Sequence, residues 1–263
     1  MNLVVLGSGS SVPHPKRASS AFWLETGAGT LLLDVGAEAA HRVAVEGLAW
    51  TELDAIWISH FHLDHLGGLA PYLFGTKYAP QTQARHKPLT ITGPRGLRSV
   101  IKHFDAAYDY GLLEQPFPIE VREVEPEQEF EILLGIMATT LSTPHTHESL
   151  ALRLTTSDSE SVFVYTADTG HHPPLALFAR DADFLITEAS FRDVSPVATH
   201  LTLRQALELA EESNARRTML THMYPEWDAF DLEAEAQQHT QVVILEARDG
   251  RQVEISPSQH RSV

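Results

Sequence analysis

Between Ser59 and Gly68 the chain reads Ser-His-Phe-His-Leu-Asp-His-Leu-Gly-Gly, which puts His60, His62, Asp64 and His65 inside six positions. The apolar run Ala55–Ser59 just before it reads as a buried strand. Three imidazoles and a carboxylate crowded at a strand end repel one another or go unsatisfied unless something positive sits among them. Neutral imidazole and carboxylate are the ligands that borderline metals such as zinc accept. Spaced two apart on an extended segment, His60 and His62 can point to one side. Asp64 and His65, beyond a turn, can face a second ion. Gly67-Gly68 is expected to let the backbone turn tightly into the following helix. A lone His-x-His would read as an ordinary surface loop, but four ligand types in six positions read as a metal site.

Composition narrows the chemistry. Cysteine is absent, which excludes disulfides and thiolate ligands, so a metal must be held by His, Asp and Glu, a donor set that suits an open hydrolytic site. With 19 basic against 35 acidic residues the formal charge is −16, and the basic residues form no cluster beyond Arg216-Arg217. Binding of long nucleic acids depends on Lys and Arg meeting phosphates, so the charge argues against such partners. A small phosphate ester held by a metal centre stays compatible with it. No stretch reaches the eighteen apolar residues of a membrane span, and Met1–Leu6 runs straight into a strand, so the chain reads as a soluble cytoplasmic protein.

Strand patterns recur at 3–6, 21–25, 30–34, 55–59, 89–92, 119–124, 136–142, 150–155, 162–167, 184–188, 218–221 and 242–246. Helical patterns fall near 37–47, 66–79, 95–110, 173–180, 202–213 and 230–238. Thr26–Gly29 and Asp249-Gly250 read as hairpin turns. This alternation predicts one α/β domain over 1–255, followed by a loose tail over 256–263.

Three later segments place candidate ligands just beyond apolar strands: Thr143-Pro-His145-Thr-His147, Thr166-Ala-Asp168 and Leu220-Thr-His222. Singly each has an ordinary reading, Asp168 as a turn cap and His222 as a satisfied strand-end histidine. Asp34, ending Leu31–Leu33, is either a plain strand-end carboxylate or a partner that fixes an imidazole tautomer.

With these residues in order, the chain resembles the metallo-β-lactamase superfamily, whose signature is His-x-His-x-Asp-His. The resemblance implies a four-layer αββα sandwich of two mixed sheets with metals at one edge. It favours His145 over His147 as ligand, because Ala151 and Arg153 follow on the next strand at the related spacing, and leaves His147 beside the pocket. The implied arrangement is His60, His62 and His145 on one metal, Asp64, His65 and His222 on the other, and Asp168 bridging. Zinc is the default ion, with manganese and iron open.

A narrower resemblance, to the ribonuclease Z branch and its small phosphodiesterase relatives, rests on three features. They are Leu6-Gly-Ser-Gly-Ser-Ser-Val-Pro13 with Arg17 and Ser19-Ser20, Glu188-Ala-Ser-Phe191, and Thr199-His200-Leu201-Thr202 before a helix opened by the capping box Thr202–Gln205. It implies a hydroxide shared by two ions as nucleophile, His200 as general acid to the leaving oxygen, and Glu188 orienting it. With Asp64 able to orient the water, the expected catalytic set is Asp64, His200 and Glu188. True ribonuclease Z grips tRNA with a long arm inserted before the bridging aspartate. Here only 23 positions separate His145 from Asp168 (168 − 145), filled by a hairpin around 156–160. The expected activity is therefore hydrolysis of a small or cyclic phosphodiester. Lactone, thioester or β-lactam hydrolysis and tRNA 3′-end cleavage are the alternatives, and a homodimer is expected by resemblance.

Overall fold

In a computed structural model that describes residues 1–157 and 161–257, the two sheets are built almost mirror-fashion. Sheet one contains β1 (Asn2–Gly7), β2 (Ala21–Thr26), β3 (Gly29–Leu33), β4 (Ala55–Trp57), β5 (Leu89–Pro94) and β6 (Ile119–Val124). Sheet two contains β7 (Glu129–Leu133), β8 (Ile136–Ser142), β9 (Leu150–Thr156), β10 (Val162–Tyr165), β11 (Phe184–Glu188), β12 (Arg217–Thr221) and β13 (Val243–Glu246). The last strand, β14 (Gln252–Glu254), returns to sheet one. The orders are β14-β1-β2-β3-β4-β5-β6 and β13-β12-β11-β10-β9-β8-β7. In each sheet one half is antiparallel and the other, β3 to β6 or β10 to β13, is parallel.

Helices cover the outer faces: α1 (Ala39–Val45), α2 (Leu63–Leu66), α3 (Leu69–Tyr78) and α4 (Leu97–Ala106) belong to the first half of the chain. The second half supplies α5 (Pro174–Phe178), α6 (Leu203–Glu212) and α7 (Leu232–Ala236). The period-two alternation of strands assigns the layers. Leu3, Val5, Phe22 and Leu33 face Leu152, Phe163, Phe184 and Met219 in the core between the sheets. Their neighbours Val4, Leu6, Trp23 and Ile56 turn outward under Leu69, Leu73 and Ile101. Both faces of the central strands are buried, which is why they read as unbroken apolar runs. The four-layer αββα sandwich is the expected fold.

Where expectation and structure part, local chemistry explains it. Edge strand β7 alternates Glu, Phe, Glu, Ile and its glutamates face water, so it carries a weak apolar signal; β14 has three residues. Asp249-Gly250 is not a hairpin turn but the crossing from β13 in one sheet to β14 in the other. Asp249 accepts hydrogen bonds from Ser8 N and Oγ and from Ala18 N, tying down the 8–18 segment. Gly67 and Gly68 hold ordinary right-handed helical angles, so turning is not their role. A Cβ on Gly68 would sit 2.1 Å from the Gly36 carbonyl oxygen, so this glycine serves close approach of α3 to the end of β3. Residues 158–160, in the expected hairpin around 156–160, and most of the expected tail, 258–263, lie outside the described residues.

Gly68→Ala is expected to destabilise by about 2–4 kcal/mol, the range of a forced steric clash. Gly75→Ala, inside α3 with nothing within 4 Å of the added carbon, is expected to stabilise by up to about 1 kcal/mol. Urea unfolding of both variants checks the contrast; equal effects would contradict it.

Candidate metal centre

Strand ends deliver the polar side chains to one edge between the sheets. β4 stops at Trp57, and His60 follows in the loop, fully buried. His62 caps α2, a single turn that carries Asp64 and His65 on successive positions. Sheet two contributes His145 beyond β8, Asp168 beyond β10 and His222 beyond β12. Asp34, Ala167 and His222 take left-handed backbone angles, with φ of 57°, 53° and 60°. Non-glycine residues adopt that region at a cost of about 1–2 kcal/mol, and here it turns strand ends sharply into the site.

Two groups of donors result: His60, His62, His145 and Asp168, and Asp64, His65, Asp168 and His222, the donors of each within 4.8 Å of one another. Asp168 belongs to both. Metal–ligand bonds of about 2.1 Å at tetrahedral angles put donors roughly 3.4 Å apart. The separations bracket that value. In the first group His62 Nδ1 lies 2.9 Å from His145 Nε2, and Asp168 Oδ2 is 3.6 Å from His145 Nε2 and 3.9 Å from His60 Nε2. In the second, His222 Nε2 is 3.2 Å from both Asp64 Oδ2 and Asp168 Oδ2, and His65 Nε2 is 3.3 Å from Asp168 Oδ1. Among the described residues, His60 Nε2 and His65 Nε2 are buried without a hydrogen-bond partner, which is costly unless a cation completes them. The donor set fits divalent metal.

The far ring nitrogens are anchored. His145 Nδ1 donates to the Thr199 carbonyl at 3.0 Å and His65 Nδ1 to Asp34 Oδ2 at 2.7 Å. Asp34 also accepts from Ser59 N and Oγ and from the Tyr165 hydroxyl at 2.6 Å, a bond that crosses from one sheet to the other. Asp34 therefore positions an imidazole. His147 does not line the pocket: its side chain is 95% exposed and pairs with Glu148. Hydrogen bonds of Thr146 to Ser149 close the loop into a turn that sends His145 inward and its neighbour outward.

Burial opposes charge on His60, His65, His145 and His200, and neighbours decide the outcome. His60, dehydrated and close to three other imidazoles, falls well below the usual histidine range. For His65 the carboxylates of Asp168 and Asp34 outweigh burial and hold it well above that range. Asp168 would be raised by burial, yet His222, His65 and His60 keep it well below the carboxylate range.

Beside the second group, His200 Nδ1 donates to Glu188 at 3.0 and 3.1 Å to its two oxygens. Glu188 is buried and also accepts from Thr169 N and Leu201 N. Burial lowers the His200 pKa, but the Glu188 hydrogen bond and charge more than reverse it, so the net shift is upward. His200, Asp64, Asp168, His222 and Tyr224 line one cleft of about 530 Å³. The residues of both donor groups, with Glu188 and His200, therefore meet at this edge, and His147 does not. Sequence reasoning gave no role to Ser190, Tyr165 or Tyr224: Ser190 appeared only inside the Glu188–Phe191 resemblance, and a tyrosine inside β10 carries no motif of its own.

The chain is similar to ribonuclease Z of Archaeoglobus fulgidus, 24% identical over 97% of each chain. Among solved structures it is similar to YhfI, a metallo-β-lactamase fold protein from Bacillus subtilis (TM-score 0.78, 24% identity, 96% and 98% of the two chains). A diphosphatase from the PhnP family also superposes (TM-score 0.74, 22% identity, 97% and 98%). Fold, centre and relatives define a metal-dependent hydrolase of the metallo-β-lactamase superfamily, ribonuclease Z-like. The family model described as "Anti-Pycsar protein Apyc1" matches residues 1–244, and the chain belongs to that family.

Since His65 holds a proton that a cation must displace, metal binding is expected to release protons and to weaken as pH falls. Zinc titration calorimetry in buffers of different ionisation enthalpy measures this directly. An affinity constant between about pH 5.5 and 8 with no proton release contradicts it.

Proposed function

We propose that this protein is a phosphodiesterase acting on a small or cyclic phosphodiester, with two divalent cations, zinc by preference, at the two donor groups. His60, His62 and His145 would hold one and Asp64, His65 and His222 the other, with Asp168 available to both. Cations there supply Lewis-acid polarisation of the bond under attack and hydroxide near neutral pH. The observation that carries the reading is the Glu188–His200 pair beside them. An alkoxide leaving phosphorus needs a proton, and an imidazolium steadied by a buried carboxylate supplies it. His200 Nδ1 is committed to Glu188, which leaves Nε2 to present the proton to the leaving oxygen. Asp64, 3.2 Å from His222 Nε2, would orient the attacking water in this reading. The Tyr224 phenol, raised by burial, stays a hydrogen-bond donor in the same cleft.

A cleft of about 530 Å³ suits a small molecule. The −16 charge disfavours a tRNA body, and β9 pairs directly with β10 as an antiparallel hairpin where the arm of a ribonuclease Z would insert. The ribonuclease Z and diphosphatase relatives are named for breaking phosphorus–oxygen bonds, which fits the same chemistry.

His200→Ala is expected to cut turnover of a cyclic phosphodiester, whose alkoxide needs protonation, by about 10²–10⁴-fold. Bis(p-nitrophenyl) phosphate, whose leaving group departs unprotonated, should lose much less, with metal content unchanged. Native activity should fall as pH rises through the raised His200 pKa, because the acid form does the work. A native protein that hydrolyses lactones, thioesters or precursor tRNA but no small phosphodiester would overturn the proposal.

A further inference from the structure

One buried hydroxyl joins the second metal group to the proton donor. Ser190 is fully buried just past β11. Its Oγ lies 2.9 Å from His222 Nδ1, contacts Glu188 Oε2 in a short hydrogen bond, and sits 3.4 Å from His200 Nδ1. Its backbone is pinned on both sides. Ala189 N donates to the Thr221 carbonyl at 2.9 Å, and the Trp227 indole donates to the Ala189 and Ser190 carbonyls at 2.9 and 3.3 Å.

Proton counting fixes the directions. His222 Nε2 faces Asp64 and Asp168, each at 3.2 Å, inside the second donor group, and a cation held there would take the lone pair of that nitrogen. A neutral imidazole has one N–H, which must then sit on Nδ1. Among the described residues Ser190 Oγ is the only hydrogen-bond partner of that nitrogen, so the hydroxyl accepts there. Its own proton goes to Glu188, whose Oε2 accepts it. His200 donates to the same carboxylate. The chain of donors is therefore His222 to Ser190 to Glu188, met from the other side by His200.

We infer that Ser190 is a positioning residue that couples the two halves of the centre: it fixes the tautomer with which His222 binds its cation, and it aims Glu188, and through it His200, at the leaving oxygen. The inference rests on the phosphodiesterase reading and adds a residue with two separable effects. A buried serine that merely satisfies its own hydroxyl would have neither.

The test uses full-length Ser190→Ala, His200→Ala, His222→Ala and the Ser190→Ala/His200→Ala double variant. Zinc affinity is measured by competition with a chelator, turnover on a cyclic phosphodiester, and the melting temperature of the metal-free protein reports folding. Ser190→Ala is expected to weaken the more loosely held zinc by about 10–100-fold and to lower turnover at saturating zinc by a similar factor. In the His200→Ala background its effect on turnover should shrink, while its effect on zinc affinity persists in full. Ser190→Cys, close in size and a weaker hydrogen-bonding group, should fall between, and it carries the test if the alanine variant melts early. Zinc affinity and turnover within about twofold of native in Ser190→Ala, with His222→Ala and His200→Ala impaired, overturns the role of Ser190 alone. Native-like His222→Ala and His200→Ala overturn the phosphodiesterase reading and this inference with it.

Discussion

A buried carboxylate surrounded by imidazoles from both sheets is the interaction on which the rest of the structure depends. Asp168 is almost inaccessible to water, yet His60, His65, His145 and His222 all approach it within 3.9 Å. Burying that many polar groups without full compensation is among the most expensive things a fold can do. Among the described residues, two imidazole nitrogens, on His60 and His65, stay without hydrogen-bond partners, so these groups alone do not complete the balance. A cation held by these donors would complete it.

The sandwich exists to make that crowding tolerable. Each sheet turns its parallel half so that strand ends converge on one edge, where backbone groups have finished their ladder bonds and side chains are available. Buried anchors then hold the donors still. Asp34 takes four hydrogen bonds, one of them from Tyr165 in the opposite sheet, and thereby locks the His65 ring to both halves of the core. Glu188 plays the same part for His200 with backbone donors on two loops.

Much of this was legible in the chain itself. The His60–His65 spacing, the Asp168 and His222 strand ends and the Thr202 capping box all carry local chemistry that shows in sequence, and each proved to sit where its pattern placed it. What stayed hidden depends on tertiary closure. His145 and His147 flank the same Thr146 and differ in which way a turn faces them, so spacing by itself left the choice open and the resemblance inclined it to His145. The roles of Ser190 and Tyr165 come from partners 32 and 131 residues away, and β14 is recognisable only once β1 offers it an edge. Gly68 was read as a turn former because glycine pairs often are; the Gly36 carbonyl that excludes a side chain there has no signature in sequence.

Metal stoichiometry tests the account most directly. Purified protein equilibrated with excess zinc, or with manganese, and freed of unbound ion is analysed for metal per chain, alongside Asp168→Ala. The account predicts about two equivalents for the native chain and loss of at least one when the shared carboxylate is removed. A native chain that retains no metal, or a variant that keeps the full complement, contradicts it.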